Sequence, residues 1–361
     1  MWWLLWLRCP GIGTVRLRAL EAHFGSLELA WYAAPVAFTA LGGSMGGAAD
    51  GLERFRESWG ADPLPRLSRQ LRGGRGVLLP GDRPWPPSLE RLDRCPAALW
   101  WQGRGSLWRR LGGRAAVAVV GTRRPSAHGL AMAHRLGVAL ARAGWPVVSG
   151  LAEGIDAEVH RGVLAAGGAP VAVLGTPLER VYPRHHGQLQ GQVGRCGLLI
   201  SEQAPGTAVL AGHFASRNRL LVALSRAVVV VECPIRSGAL HSAELAWHQE
   251  LPLWVVPADA ARQSAVGSNR LLARGATPLL EPGDLIAQIG TGPLASGAEA
   301  AEPAPLPPRQ AALLAAVGGG ASLEQLSLTL GESPARLASQ LLELEIGGHL
   351  RAEAGLCWRP V

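Results

Sequence analysis

Six short apolar runs recur between residues 116 and 257: 116-AVAVV-120, 146-PVVS-149, 170-PVAVLG-175, 197-GLLIS-201, 227-AVVVVE-232 and 253-LWVVP-257. None alternates apolar with polar residues. A strand that is apolar on both faces has to be covered on both faces, as the inner strands of a parallel sheet are. The intervening segments have helical spacing; in GLAMAHRLGVALARAG, Met132, Leu136, Ala139, Leu140 and Ala143 share one face. Strand and helix in alternation over this length predict an α/β, doubly wound domain with a mostly parallel, Rossmann-like sheet, spanning 73–290.

The flanks read differently. Residues 1–72 predict a small helical domain of the SAM or helix-hairpin-helix kind. Within PGIGTVRLRALEAHFGS, Thr14 can cap a helix from Val15 to His23 and Gly25 can end it. GIG before a helix resembles the hairpin of a helix-hairpin-helix module, whose backbone N–H groups can touch phosphate. The plainer reading of so short a motif is a helical turn in a small bundle, and we prefer it. Nine of the 13 tryptophans precede residue 111; packing explains most of them, although an exposed one could stack on a base.

Residues 291–308, TGPLASGAEAAEPAPLPP, are rich in Pro, Ala and Gly and predict an extended, mobile linker. In 309–361, QAALLAAV, SLEQLSLTLG and SPARLASQLLELEIGG precede HLRAEAGLCWRPV, three short helices and a hairpin in winged-helix order. A winged helix that reads DNA carries basic residues on its third helix. Here Arg336 stands against Glu343 and Glu345, so a protein-contact or structural role comes first and DNA reading second.

The chain has no lysine, so all 35 of its basic residues are arginine, planar forks suited to phosphate. Its net charge of +8 is unevenly spread. Residues 1–111 carry 15 Arg against 9 acids and 112–230 carry 12 against 5, whereas 231–361 is acidic overall. A basic front half suggests a polyanionic partner. Five scattered cysteines without a CxxC argue against a disulfide framework and against structural zinc, and fit a reducing cytoplasm. MWWLLWLRCP lacks the basic n-region of a signal peptide, and no run approaches the ~18–20 apolar residues of a membrane span.

In a doubly wound sheet, ligands bind outside the carboxyl ends of the strands. The unusual motifs of this chain fall there: 121-GTRRPSAHG-129, 149-SGLAEGIDAEVH-160, 175-GTPLERVYP-183, 213-HFASRNRLL-221 and 236-RSGALHSA-243. Gly121, Ser149, Gly150 and Gly154 let backbone approach an anion. Ser216 can cap a helix whose first turn holds Arg217, Asn218 and Arg219. Cations at that position oppose the macrodipole unless an anion lies between them; the alternative is that they are solvated or pair with Glu202 or Glu232. Phe214 can stack a base or can pack beneath its loop.

These motifs, together with 267-GSNRLLARGA-276, occur in the order seen in the bacterial DNA-processing protein A family (DprA, also called Smf), which 75–290 resembles. The resemblance implies a non-catalytic protein that binds single-stranded DNA, forms a homodimer and loads the RecA recombinase in natural transformation. It places the phosphate-binding motif on Gly121, Thr122 and Arg123, and on Ser149, Gly150 and Gly154; Arg124, next in the loop, is a further candidate phosphate ligand. It places the basic-aromatic element on Phe214, Arg217, Asn218 and Arg219, and a serine-glycine turn on Ser237 and Gly238. The chain departs from the family pattern at Glu153, Ala215–Ser216 and Glu244.

Arginines at several separate strand ends suit a track of phosphates better than one pyrophosphate. No cofactor and no metal are expected: there is no HExxH, and His128, His160 and His213 lack matching ligands at useful spacing. An NAD site would need GxGxxG and a ribose-binding acid, and neither is present. The enzyme alternative is a nucleotide N-glycosidase of the lysine-decarboxylase-like class. Its PGGxGTxxE run is absent, and ECPIRSGALHSAE only echoes it.

Overall fold

The structure, a computed structural model, describes residues 1–38, 49–71, 76–295, 306–353 and 356–360. It divides into two compact units, Met1–Arg75 with Arg94–Ala98, and Gly76–Asp93 with Leu99–Val361.

The larger unit is built on nine strands among the described residues: β1 (Gly76–Leu78), β2 (Leu99–Gly103), β3 (Val117–Val120), β4 (Val147–Ser149), β5 (Pro170–Leu174), β6 (Leu198–Ser201), β7 (Ala227–Val230), β8 (Leu253–Val255) and β9 (Thr277–Pro278). Their order across the sheet is β1-β2-β6-β5-β4-β3-β7-β8-β9. From β6 to β9 every pairing is parallel, while β1 and β2 add an antiparallel edge. The expected mostly parallel α/β sheet is thus present, and all six apolar runs are strands within it.

Every residue of β3 to β8 is buried, because helices cover both faces of the sheet. On one face Val117, Val119, Val147 and Val229 pack with Met132, Leu136, Leu140, Val159 and Val163 from the helices Ala127–Arg142 and Ile155–Ala165. β1, GVL, lies in the short run 76-GVLL-79 outside the six, and β9 is only Thr277–Pro278. β2, LWWQG, is legible only as an aromatic stretch, and Trp100 and Trp101 are buried in it.

From β3 the chain steps outward through β4, β5 and β6, then returns to the far side of β3 with β7. The strand order thus reverses at β3, and in doubly wound sheets ligands bind at the carboxyl ends of the strands at such a switch point.

Residues 291–295, the head of the expected mobile linker, are instead held against the base of the sheet. Gly292 N donates to Ala143 O at 2.6 Å, and Leu294 N to Gly144 O at 2.9 Å. Residues 296–305 of that linker lie outside the described residues. Beyond it the helices Pro308–Val317, Leu323–Leu330 and Pro334–Ile346 pack with a three-stranded antiparallel sheet, β10 (Ala321–Ser322), β12 (Cys357–Pro360) and β11 (Leu350–Glu353). Leu313, Leu326, Leu337, Leu341 and Trp358 form its core. On the third helix Glu345 is turned inward, accepting from Ala352 N at 3.2 Å, and burial pushes its carboxyl up.

The smaller unit is helical where described, with Leu5, Trp6, Leu17, Leu20 and Trp31 at its centre. Trp6 Nε1 donates to Leu27 O at 2.9 Å, and the Trp6 and Trp31 rings meet edge-on at 5.3 Å. Thr14 is the first residue of its helix rather than the cap; its hydroxyl donates to Cys95 O at 3.3 Å. Gly25 ends that helix with a left-handed φ of 79°. Of the expected helical region, residues 39–48 and 72 lie outside the described residues.

Candidate functional site

The first loop leaves β3 at Gly121 and is fastened at once. Thr122 N donates to Glu232 O at 2.7 Å, Thr122 O accepts from Ile155 N at 3.2 Å, and Thr122 Oγ1 accepts from Arg124 N at 3.2 Å. Arg123 and Arg124 then turn outward and are exposed. Ser126 is the N-cap of the helix Ala127–Arg142, one position before its first turn, and its Oγ accepts from Gly129 N at 3.0 Å.

A carboxylate already occupies this helix N-terminus. Buried Glu232, just past β7, accepts from Ser126 Oγ at 2.7 Å and from Ser126 N at 3.1 Å. That charge satisfies donors and complements the positive end of the helix. A pyrophosphate placed there, as in a dinucleotide site, would meet a fixed negative charge. Loss of the GxGxxG pattern therefore has a structural counterpart: Glu232 has taken the anion's place.

The second loop follows β4 and packs against the first. Ser149 Oγ donates across the sheet to Val119 O at 2.6 Å, and Gly150 N donates to Asp156 Oδ2 at 3.1 Å. Gly154 has a φ of 78° and lies against Thr122 O, so a side chain there would be both strained and blocked. The guanidinium of Arg217 lies against the bare Cα of Gly150, in the space a Cβ would fill.

Arg217 itself is only 7% exposed. Its Nε donates to Asn218 Oδ1 at 2.9 Å, its Nη1 to Val173 O, and its Nη2 lies 3.5 Å from Asp156 Oδ2. Burial pushes the Asp156 carboxyl up and the Arg217 guanidinium down, and each is opposed by the charge of the other. Asn218 Nδ2 passes the connection on to Gly238 O at 3.1 Å, and Ser237 caps the next helix by accepting from Ala239 N at 3.2 Å. Nearby, burial lowers the pKa of His160 to about 4 while its Nε2 donates to Val171 O at 3.3 Å.

The expected helix start at Ser216 does not occur. One short helix runs Ala211–Ser216 and another Asn218–Ala223, and Ser216 Oγ donates back to His213 O at 3.2 Å. The helix start falls at Arg217 instead, which is the N-cap of Asn218–Ala223, with Asn218 and Arg219 in the first turn. Arg219 takes the ion-pair alternative, with Nη2 2.6 Å from Glu202 Oε1. Phe214 is half-buried between the Tyr182 ring, 4.8 Å away, and the Arg123 guanidinium carbon, 5.8 Å away.

Gly121, Thr122, Arg123, Ser149, Gly150, Gly154, Arg217, Asn218 and Gly238 therefore meet in one connected network, to which Arg123 joins Phe214. Arg124 borders it on the exposed rim. Missing from the sequence reading of the site are the exposed Arg180, Arg184 and Arg236, the pairing of Asp156 with Arg217 and that of Glu232 with Ser126. The loop 175-GTPLERVYP-183 flagged Arg180 only by its position; nothing local flags the pairings.

The fold and this site define a doubly wound α/β protein with exposed arginines beside the carboxyl ends of its strands. The family model for DNA recombination-mediator protein A matches residues 76–290. Protein Smf of Synechocystis sp. is 35% identical over 294 residues, covering 81% of this chain and 73% of its own. The crystal structure of DNA processing protein A from Streptococcus pneumoniae superposes with a TM-score of 0.67 at 25% identity, covering 80% of this chain and 98% of its own. DNA processing protein A from Helicobacter pylori, whose structure is described for its single-stranded DNA binding mode, gives 0.54 at 29% identity over 60% of this chain and 96% of its own. The chain belongs to the DNA recombination-mediator protein A family.

Proposed function

We propose that this protein binds single-stranded DNA along the carboxyl ends of the β-strands without turning it over, and hands the strand to the RecA recombinase in transformation and recombination. The observation that carries the reading is the rim: Arg123 and Arg124 stand exposed above a pre-built floor of backbone and buried side chains. The Helicobacter pylori relative, described as binding single-stranded DNA, supports it. A phosphate track needs exposed cations fixed in place rather than a closed pocket.

In this reading Arg217, Asn218 and Ser149 position the loops, Arg123 and Arg124 meet phosphate, and Phe214 offers a ring face. Ser237 and Gly238 shape the neighbouring turn. The functional modules are 1–72, 73–290 and the winged-helix-type 309–361, joined through 291–308, and the working unit is a homodimer in the cytoplasm. No helix among the described residues is long and apolar enough to cross a membrane. Against a glycosidase, the acid after β7, Glu232, is committed to capping Ser126.

The test compares single- and double-stranded oligonucleotides in gel-shift titrations of wild type and Arg123→Glu/Arg124→Glu. The double variant is expected to lose most single-strand affinity while its circular dichroism is unchanged. Unaltered single-strand affinity would falsify the rim as a binding site.

A further inference from the structure

We propose that the loop after β5, residues 175–184, is a second wall of the DNA path, with Tyr182 stacking a base and Arg180 and Arg184 contacting phosphates. The inference rests on the single-stranded DNA reading above and extends it to residues outside the network already described.

Tyr182 is 44% exposed although its ring lies 4.8 Å from that of Phe214, with 47° between the planes. Phe214 can come so close to the third loop because residue 175 is glycine; a Cβ there would lie 2.7 Å from Phe214 Cδ1. Phe214 also meets the Arg123 guanidinium, with Cζ 5.8 Å from the ring centroid. Arg123, Phe214 and Tyr182 therefore form a continuous cation–ring–ring row from the first loop to the third. Its outer member leaves aromatic surface in water, which is unfavourable until something apolar and flat covers it.

Two residues to either side of Tyr182, Arg180 and Arg184 are exposed and make no ion pair among the described residues. The spacing sets a ring between two cations, the alternation that a strand of bases and phosphates matches. The loop is also held before any ligand arrives. Ser201 Oγ donates to Thr176 O at 2.7 Å and Gln190 Nε2 to Leu178 O at 3.0 Å. Past the loop, His186 Nδ1 donates to Leu151 O at 3.0 Å, tying it to the second loop. A wall fixed in advance loses little entropy on binding. Duplex bases remain stacked on one another and present no free face, so an open ring here favours unpaired strands.

Full-length wild type, Tyr182→Ala, Tyr182→Phe, Arg180→Ala/Arg184→Ala and Arg123→Glu are titrated by fluorescence anisotropy against an oligothymidylate and an abasic strand of equal length. Tyr182→Ala is expected to weaken the base-bearing strand about 10-fold and leave the abasic strand unchanged, with Tyr182→Phe restoring affinity. The double arginine variant is expected to weaken both strands and to flatten the salt dependence by a slope of about 0.7 for each phosphate it no longer neutralises. Unchanged oligothymidylate binding by Tyr182→Ala, or equal losses on both strands, overturns the stacking role. An unchanged salt slope in the double variant overturns the phosphate wall. In each failure, a loss on Arg123→Glu leaves the single-stranded DNA reading standing, and no loss on Arg123→Glu sinks that reading as well.

Discussion

The floor and the rim of the site use the same residue type in opposite ways. On the floor, Arg217 is enclosed and shared among Asp156, Asn218 and Val173 O. On the rim, Arg123 and Arg124 are exposed and make no ion pair among the described residues. A buried arginine whose donors are spent inside the fold stabilises a shape; an exposed one without a carboxylate is available to an outside anion. Arginine in a motif therefore says little about its work until its surroundings are known.

The comparison breaks first, if it is wrong, at the floor. Arg217→Ala leaves Asp156 buried without its cation and is expected to cost ~3–5 kcal/mol in urea unfolding. A cost within experimental error would mean that Arg217 is not a structural member.

A second effect of comparable size should appear with acid. His160 is neutral in the fold, its pKa lowered to about 4 from 6.5. Between those values the unfolded chain binds the extra proton, so stability is full above about pH 6.5 and falls as pH drops toward 4. The slope reaches about 1.4 kcal/mol per pH unit. His160→Gln should flatten the stability profile across that window, and an unchanged profile would place the titration elsewhere.

Gly150→Ala comes next, at about 1–3 kcal/mol, because a methyl group must displace the Arg217 guanidinium. A neutral result would show that the guanidinium moves aside freely. The smallest stability effect belongs to the rim. Arg123→Ala should change unfolding by no more than about 0.5 kcal/mol, while lowering the slope of log affinity against log salt by about 0.7 on a single strand. A large loss of stability from this substitution would erase the distinction between rim and floor.

Much of the architecture is legible in the sequence, and the reason is local. Runs such as AVAVV and AVVVVE are apolar at every position, or at all but the last, which only burial on both faces accommodates. The helix from Ala127 has its apolar stripe and its serine cap within a few residues of each other. Less legible are β1 and β9, only three and two residues long at the sheet edges, too short for a pattern to stand out. The helix break at Arg217 is not legible either, nor is the pairing of Arg217 with the distant Asp156.

By itself the sequence determined the strands, the glycine-rich loops and the excess of arginine at the strand ends. All three are written in residue type and short spacing. Only the tertiary structure decided which arginine is spent and which is free, and that Glu232 closes the helix end where a pyrophosphate would sit. Those outcomes depend on β7 returning beside β3. Residues some 60 to 100 positions apart then lie within hydrogen-bond reach, as Asp156 and Arg217 or Ser126 and Glu232 do, and no periodicity along the chain encodes that distance.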